Sequence, residues 1–127
     1  MNKDILITTI TPDDWKVLRD IKLNSLEQEP IAFEEAEEGG KKYIERTEKE
    51  WRARLDPERN DRFLLFAKDI DTGTYIGTAF VSIEKGIGTI QHVFVDKDYR
   101  GHGIGLMLLT EMIARLRKRS DVTSAEI

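Results

Sequence analysis

The chain of 127 residues has no cysteine, only two histidines, and no long apolar run. Without cysteine there is no disulfide, no thiolate zinc site and no cysteine nucleophile, and a reducing, cytoplasmic setting fits. No stretch approaches the ~20 apolar residues that a membrane-crossing helix needs. The N-terminus does not read as a secretory signal, because Ile5-Leu6-Ile7 gives way at once to threonines. Cationic excess is lacking too. The formal net charge is -4, which argues against nucleic acid as a partner, since duplex binding rests on cationic contacts to phosphates. The basic run Arg115, Arg117, Lys118 and Arg119 is explained by its place at the negative end of a helix. No membrane partner and no metal site are expected.

What is present reads as globular. The composition is 39% hydrophobic and 35% charged, apolar enough for a core and too balanced in charge for disorder. The length suits a single domain over residues 1–127.

Residues 5–10 read as a strand rich in β-branched side chains. Thr11-Pro12-Asp13-Asp14 reads as a helix start: a capping threonine, a proline at the first turn and acids at the positive dipole end. Val17, Leu18 and Ile21 share one face of that helix, which ends before Pro30. Glu34, Glu35, Glu37 and Glu38 lie in an acidic loop. A second helix is expected over residues 41–55, with Ile44, Thr47, Trp51 and Leu55 inward. Residues 62–68 and 75–83 form a hairpin around Asp71-Thr72-Gly73. A turn over residues 84–88 leads to a strand at residues 89–95, apolar on both faces as a covered central strand would be. A polar loop follows, then a helix from Gly103 with Gly105, Leu109, Met112, Ile113 and Leu116 on its buried face. A last strand is expected from Val122. The order is β-α-α-β-β-β-α-β: an α/β chain with a mixed, mostly antiparallel central sheet flanked by helices.

The most informative segment is Val93-Phe94-Val95-Asp96-Lys97-Asp98-Tyr99-Arg100-Gly101-His102-Gly103-Ile104-Gly105. A strand end feeds a glycine-rich turn, and the turn feeds a helix. Glycines let the backbone approach a ligand and adopt unusual dihedrals. The first amides of a helix have no intrahelical partner. Together they make a site for a phosphate or diphosphate. No Gly-Lys-Ser/Thr follows, so this is not a Walker loop. The glycine spacing and the absence of a leading βαβ unit exclude a dinucleotide fingerprint.

Arg100-Gly101-His102-Gly103-Ile104-Gly105 resembles the acetyl-CoA loop of the GCN5-related N-acetyltransferases (GNAT), whose pattern is Gln/Arg-x-x-Gly-x-Gly/Ala. The Val-x-Val before it and the Gly-Leu-x-Leu-Leu after it are similar to that family. So are the Trp51-Arg52-Ala53-Arg54-Leu55 run and the Ala32-Phe33 pair, and the order of elements over the whole chain. The resemblance implies an acetyl-CoA-dependent N-acetyltransferase that moves an acetyl group directly to a primary amine of a small molecule or peptide. It implies that Arg100, Gly101, His102, Gly103, Ile104, Gly105 and Leu106 bind the diphosphate of coenzyme A, mainly through backbone amides. Val93, Phe94 and Val95 would hydrogen-bond the pantetheine arm as an added strand. An N–H near Phe94 or Val95 would stabilise the oxyanion.

The tyrosine that often serves the family as general acid has no counterpart. Tyr43, Tyr75 and Tyr99 do not match its position, and the family's closing helix and strands have no match in this chain. A trimmed chain, a natural truncation and a protomer completed by a partner are all compatible with that, as is a catalytically impaired acetyl-CoA-binding or protein-interaction module. A bare sheet edge near residue 127 would favour a homodimer. His92, beside the expected acetyl position, is the candidate general base; a histidine tucked against Phe94 is the plainer reading. The acidic loop either attracts a cationic amine or is simply solvated.

Overall fold

A computed structural model of the chain describes residues 4–29 and 45–127. The acidic loop, Ala32-Phe33, Tyr43 and Ile44 lie outside the described residues. The elements are β1 (Ile5–Thr8), α1 (Trp15–Gln28), α2 (Glu48–Ala53), β2 (Arg62–Asp69), β3 (Thr74–Glu84), β4 (Ile87–Val95), α3 (Ile104–Arg117) and β5 (Ser124–Glu126). They fall into two compact units, one of Ile10–Asp56 and one of Met1–Thr9 with Pro57–Ile127.

In the smaller unit, Pro12–Asp14 forms a 3-10 turn ahead of α1. The Asp14 carboxylate reaches back 3.2 Å to the Thr11 N–H and 3.3 Å to its hydroxyl, the reciprocal half of a capping box. Leu18 and Ile21 are buried in α1, and Trp51 is buried in α2. Thr47 does not point inward as its spacing suggested. It is the N-cap of α2, where its Oγ1 accepts the Glu50 N–H at 3.3 Å and the Glu50 carboxylate returns to the Thr47 hydroxyl. A hydroxyl at that position gains more by capping orphan amides than by burial. Arg52 ties α2 to the 3-10 turn, at 3.0 Å from Glu48 and 2.9 Å from Asp13.

The larger unit is a five-stranded sheet in the order β1-β2-β3-β4-β5. β1 through β4 are antiparallel neighbours and β5 is parallel to β4. This is the mixed, mostly antiparallel α/β architecture expected. The β3–β4 turn is shorter than the glycines suggested. Lys85 and Gly86 alone make it, both with positive φ (51° and 80°), the two-residue hairpin turn whose twist matches its strands. Ile87 and Gly88 therefore belong to β4.

α3 lies across β1 to β4. Its buried stripe is Ile104, Leu108, Met112 and Leu116, a clean every-fourth-residue row. Leu109 and Ile113, expected on that face, are half-buried at its margin, because a four-residue step drifts round the helix. The stripe packs on Leu65, Ala67, Ala79, Val81 and Ile90 of the sheet. Burying each such leucine or isoleucine stabilises the fold by roughly 1.5–3 kcal/mol. Gly88 sits under this helix: a Cβ there would lie 3.0 Å from Leu116 Cδ2. The absence of a side chain at this position leaves the space to the Leu116 methyls, which a Cβ would have to push aside.

Candidate active site

Two departures from regular structure shape the end of β4. The first is a bulge. Thr78 pairs with Phe94 but Phe80 pairs with Gln91, so β4 carries one residue more than β3 between these points. His92 absorbs the extra residue with φ of 53°, an uncommon backbone for a side-chain-bearing residue. The bulge changes the phase of the strand. Ile90 faces α3 before it, and Val93 and Val95 pack on the same cluster after it. Phe94 is thereby turned to the other face and buried.

The second departure is the end of pairing. β5 covers only Ile87, Gly88 and Thr89. Among the described residues, β4 from Ile90 onward has β3 on one edge and no strand on the other. On the β3 side the approach is close, for a Cβ on Gly77 would lie 3.0 Å from the Phe94 carbonyl oxygen.

Beyond Val95 the chain turns tightly. The Asp96 N–H donates to the Ile76 carbonyl at 2.8 Å, and the Asp96 carboxylate accepts from the Asp98 N–H at 3.0 Å. Lys97–Tyr99 forms one 3-10 turn. The Arg100 side chain folds back, its Nε donating to the Val95 carbonyl at 2.9 Å, so this guanidinium braces the turn that it follows. Then come the glycines. Gly101 and Gly103 have φ of 84° and 78°, and a Cβ on either would meet no atom within 4 Å. Gly103 is the N-cap of α3. Among the described residues, no N–H from residues 101–106 donates to a protein acceptor. The first that does is the Met107 N–H, to the Gly103 carbonyl at 3.0 Å.

This arrangement has the chemistry of an anion cradle. Consecutive unpaired amides lead into the positive end of a 14-residue helix, and the left-handed glycines keep side chains out of the approach. His102 and Leu106 are exposed on its rim, while Ile104 is buried and anchors the first turn of α3. The predicted residues Val93, Phe94, Val95, Arg100, Gly101, His102, Gly103, Ile104, Gly105 and Leu106 thus form one continuous strand end, turn and helix start.

A model of the acetyltransferase (GNAT) family matches residues 23–127. The chain belongs to the GNAT acetyltransferase family. Solved members of this fold superpose on it. One is the PaiA N-acetyltransferase of Thermoplasma acidophilum in complex with coenzyme A, with a TM-score of 0.72 and 19% identity over 91% of this chain and 73% of that one. An acetyltransferase of Trypanosoma brucei gives 0.68 and 18% over 96% and 80%. The glucosamine-6-phosphate N-acetyltransferase of Arabidopsis thaliana gives 0.63 and 18% over 97% and 80%. At such identities the likeness is one of fold. No curated protein matches the chain in sequence. GNAT acetyltransferases take their acetyl group from acetyl-CoA, whose diphosphate is an anion of the kind such a cradle suits.

His92 is exposed, its ring centred 6.4 Å from that of Phe80 and tilted by 43°. The plainer reading set it next to Phe94; the ring seen beside it is that of Phe80. Sequence reasoning missed the bulge, since no glycine or asparagine marks it. It also missed a tie between Tyr99 and Asp69, whose partners stand thirty residues apart. Among the described residues no cluster of His, Asp and Glu is placed to hold a metal, and no helix is long and apolar enough to cross a membrane.

Proposed function

We propose that this GNAT chain transfers the acetyl group of acetyl-CoA directly to a primary amine. The observation that carries the reading is the row of unpaired amides at residues 101–106, opened by Gly101 and Gly103. In this reading those amides bind the diphosphate of the cofactor, and Arg100 contributes by holding the turn in shape. The uncovered edge of β4 at Val93, Phe94 and Val95 pairs with the amide groups of the pantetheine arm, as one further strand would. The thioester then lies beside the bulge. The amine nitrogen attacks the thioester carbon, the C–S bond breaks, and the thiolate leaves and takes up a proton. A main-chain N–H at Phe94 or Val95 stabilises the oxyanion formed between these steps. His92, lifted out of the strand by the bulge, takes the proton released by the amine.

The experiment is titration calorimetry with acetyl-CoA, followed by release of free CoA thiol across a panel of small amines and peptide N-termini. Binding with turnover on at least one amine supports the reading. A chain that binds no acetyl-CoA refutes it. His92→Gln tests the base: kcat falls while cofactor affinity holds. The reading keeps the cytoplasm as compartment and a homodimer as assembly, the latter read by light scattering after size-exclusion chromatography.

A further inference from the structure

Asp69 closes β2 and is only 3% exposed. A buried carboxylate is costly unless its oxygens are hydrogen-bonded. One oxygen accepts the Asp71 N–H at 3.0 Å. The other accepts the phenol of Tyr99 at 2.9 Å, across the gap between the β2–β3 hairpin and the turn after β4. This hydrogen bond, together with burial, raises the Tyr99 pKa above the ordinary phenol value, so the proton stays on the phenol and the donor is kept.

The turn leading to the cradle has three fixed points. Asp96 is held to β3 through Ile76, Tyr99 to the end of β2 through Asp69, and Arg100 to the end of β4 through Val95. After Arg100 come the unpaired amides of residues 101–106. The tyrosine ring already packs at the margin of the core under α3, and a phenylalanine would fill that space equally well. What the hydroxyl adds is direction, because it fixes the ring to one carboxylate oxygen and with it the backbone two residues before Gly101.

We propose that Tyr99 is a positioning residue for the cofactor: its bond to Asp69 sets where the glycine turn presents its amides to the diphosphate of coenzyme A. The inference rests on the reading above that these amides hold the diphosphate. It requires that loss of the bond weaken ligands with a diphosphate and spare those without one.

The test compares wild type, Tyr99→Phe and Asp69→Asn, the last keeping an acceptor oxygen of the same shape without the charge. Coenzyme A binding is measured by calorimetry, and pantetheine binding by amide shift changes along β4. Tyr99→Phe is expected to raise the Kd for coenzyme A about fivefold, the order of one lost hydrogen bond, with Asp69→Asn in between and pantetheine unchanged in both. Equal loss for both ligands would mean general loosening of the fold and overturns the inference. So does an unchanged Kd for coenzyme A in the folded variants. If Tyr99→Phe does not fold, Asp69→Asn alone decides between these outcomes. Wild type that binds no coenzyme A overturns the cofactor reading and this inference with it, whereas wild type that binds while the variants match it overturns this inference alone.

Discussion

Gly103→Ala separates two costs that a glycine substitution usually mixes. Gly103 has φ of 78°, and a Cβ there meets nothing within 4 Å. The folding cost is therefore backbone strain alone, about 1–2 kcal/mol for an ordinary residue in the left-handed region. Gly73 in the β2–β3 turn is a matched control: its φ is 76°, and a Cβ there also meets nothing within 4 Å. Gly73→Ala should thus lose the same stability, each variant melting lower by a few degrees. They part on cofactor. The open space over Gly103 is where we propose the diphosphate sits, and a methyl there displaces it, so Gly103→Ala should lose at least about tenfold in coenzyme A affinity, equivalent to ~1.4 kcal/mol. Gly73→Ala should bind as wild type does. Thermal melts and calorimetry on both proteins suffice. If both variants bind coenzyme A equally well, the cradle is a structural turn and the argument from its glycines fails.

Other substitutions probe the scaffold. Gly88→Ala drives a Cβ to 3.0 Å from the buried Leu116 side chain, and overpacking should lower stability by about 1–3 kcal/mol in urea titration; no measurable loss would mean that the Leu116 methyls give way to it. Thr47→Ala removes the cap of α2 and should cost about 1 kcal/mol by the same assay, with no change excluding a capping role. Lys22 is 5% exposed, and burial, then Arg54 and Arg46, lower its pKa from 10.5 to about 8. The unfolded chain therefore binds more protons between those values, and stability gained from this group should rise with pH across that window by about 3 kcal/mol in all. Lys22→Met should abolish that rise and stabilise the protein at neutral pH, as paired urea titrations at pH 7.5 and 10 would read; an equal pH response in the two proteins contradicts the assignment.

Much of this was legible in the residues because the relevant signals are local. The β2–β3 hairpin, the strand into the glycine turn and the helix after it follow from alternation, turn chemistry and helix-start rules, and the structure keeps them to within a residue or two. What escaped depends on contacts distant in sequence. Gly88 looks like a turn glycine until Leu116 presses on it. The stripe on α3 is fixed by which row of side chains meets the sheet, so Leu108 is buried and Leu109 lies at the margin. The bulge at His92 follows from how β4 registers against β3, and a single histidine, though commoner than most residues at positive φ, marks a left-handed backbone too weakly to be read alone. Thr47 reads as a core position by spacing and as a cap only once α2 is seen to start after it.

The most direct test of the central claim is an amide NMR titration with coenzyme A. The N–H resonances of Gly101, Gly103, Ile104 and Gly105 should shift strongly downfield and saturate together, with smaller changes along Val93, Phe94 and Val95. If coenzyme A left these amides unmoved, or shifted only residues elsewhere, the helix start would not be its binding site.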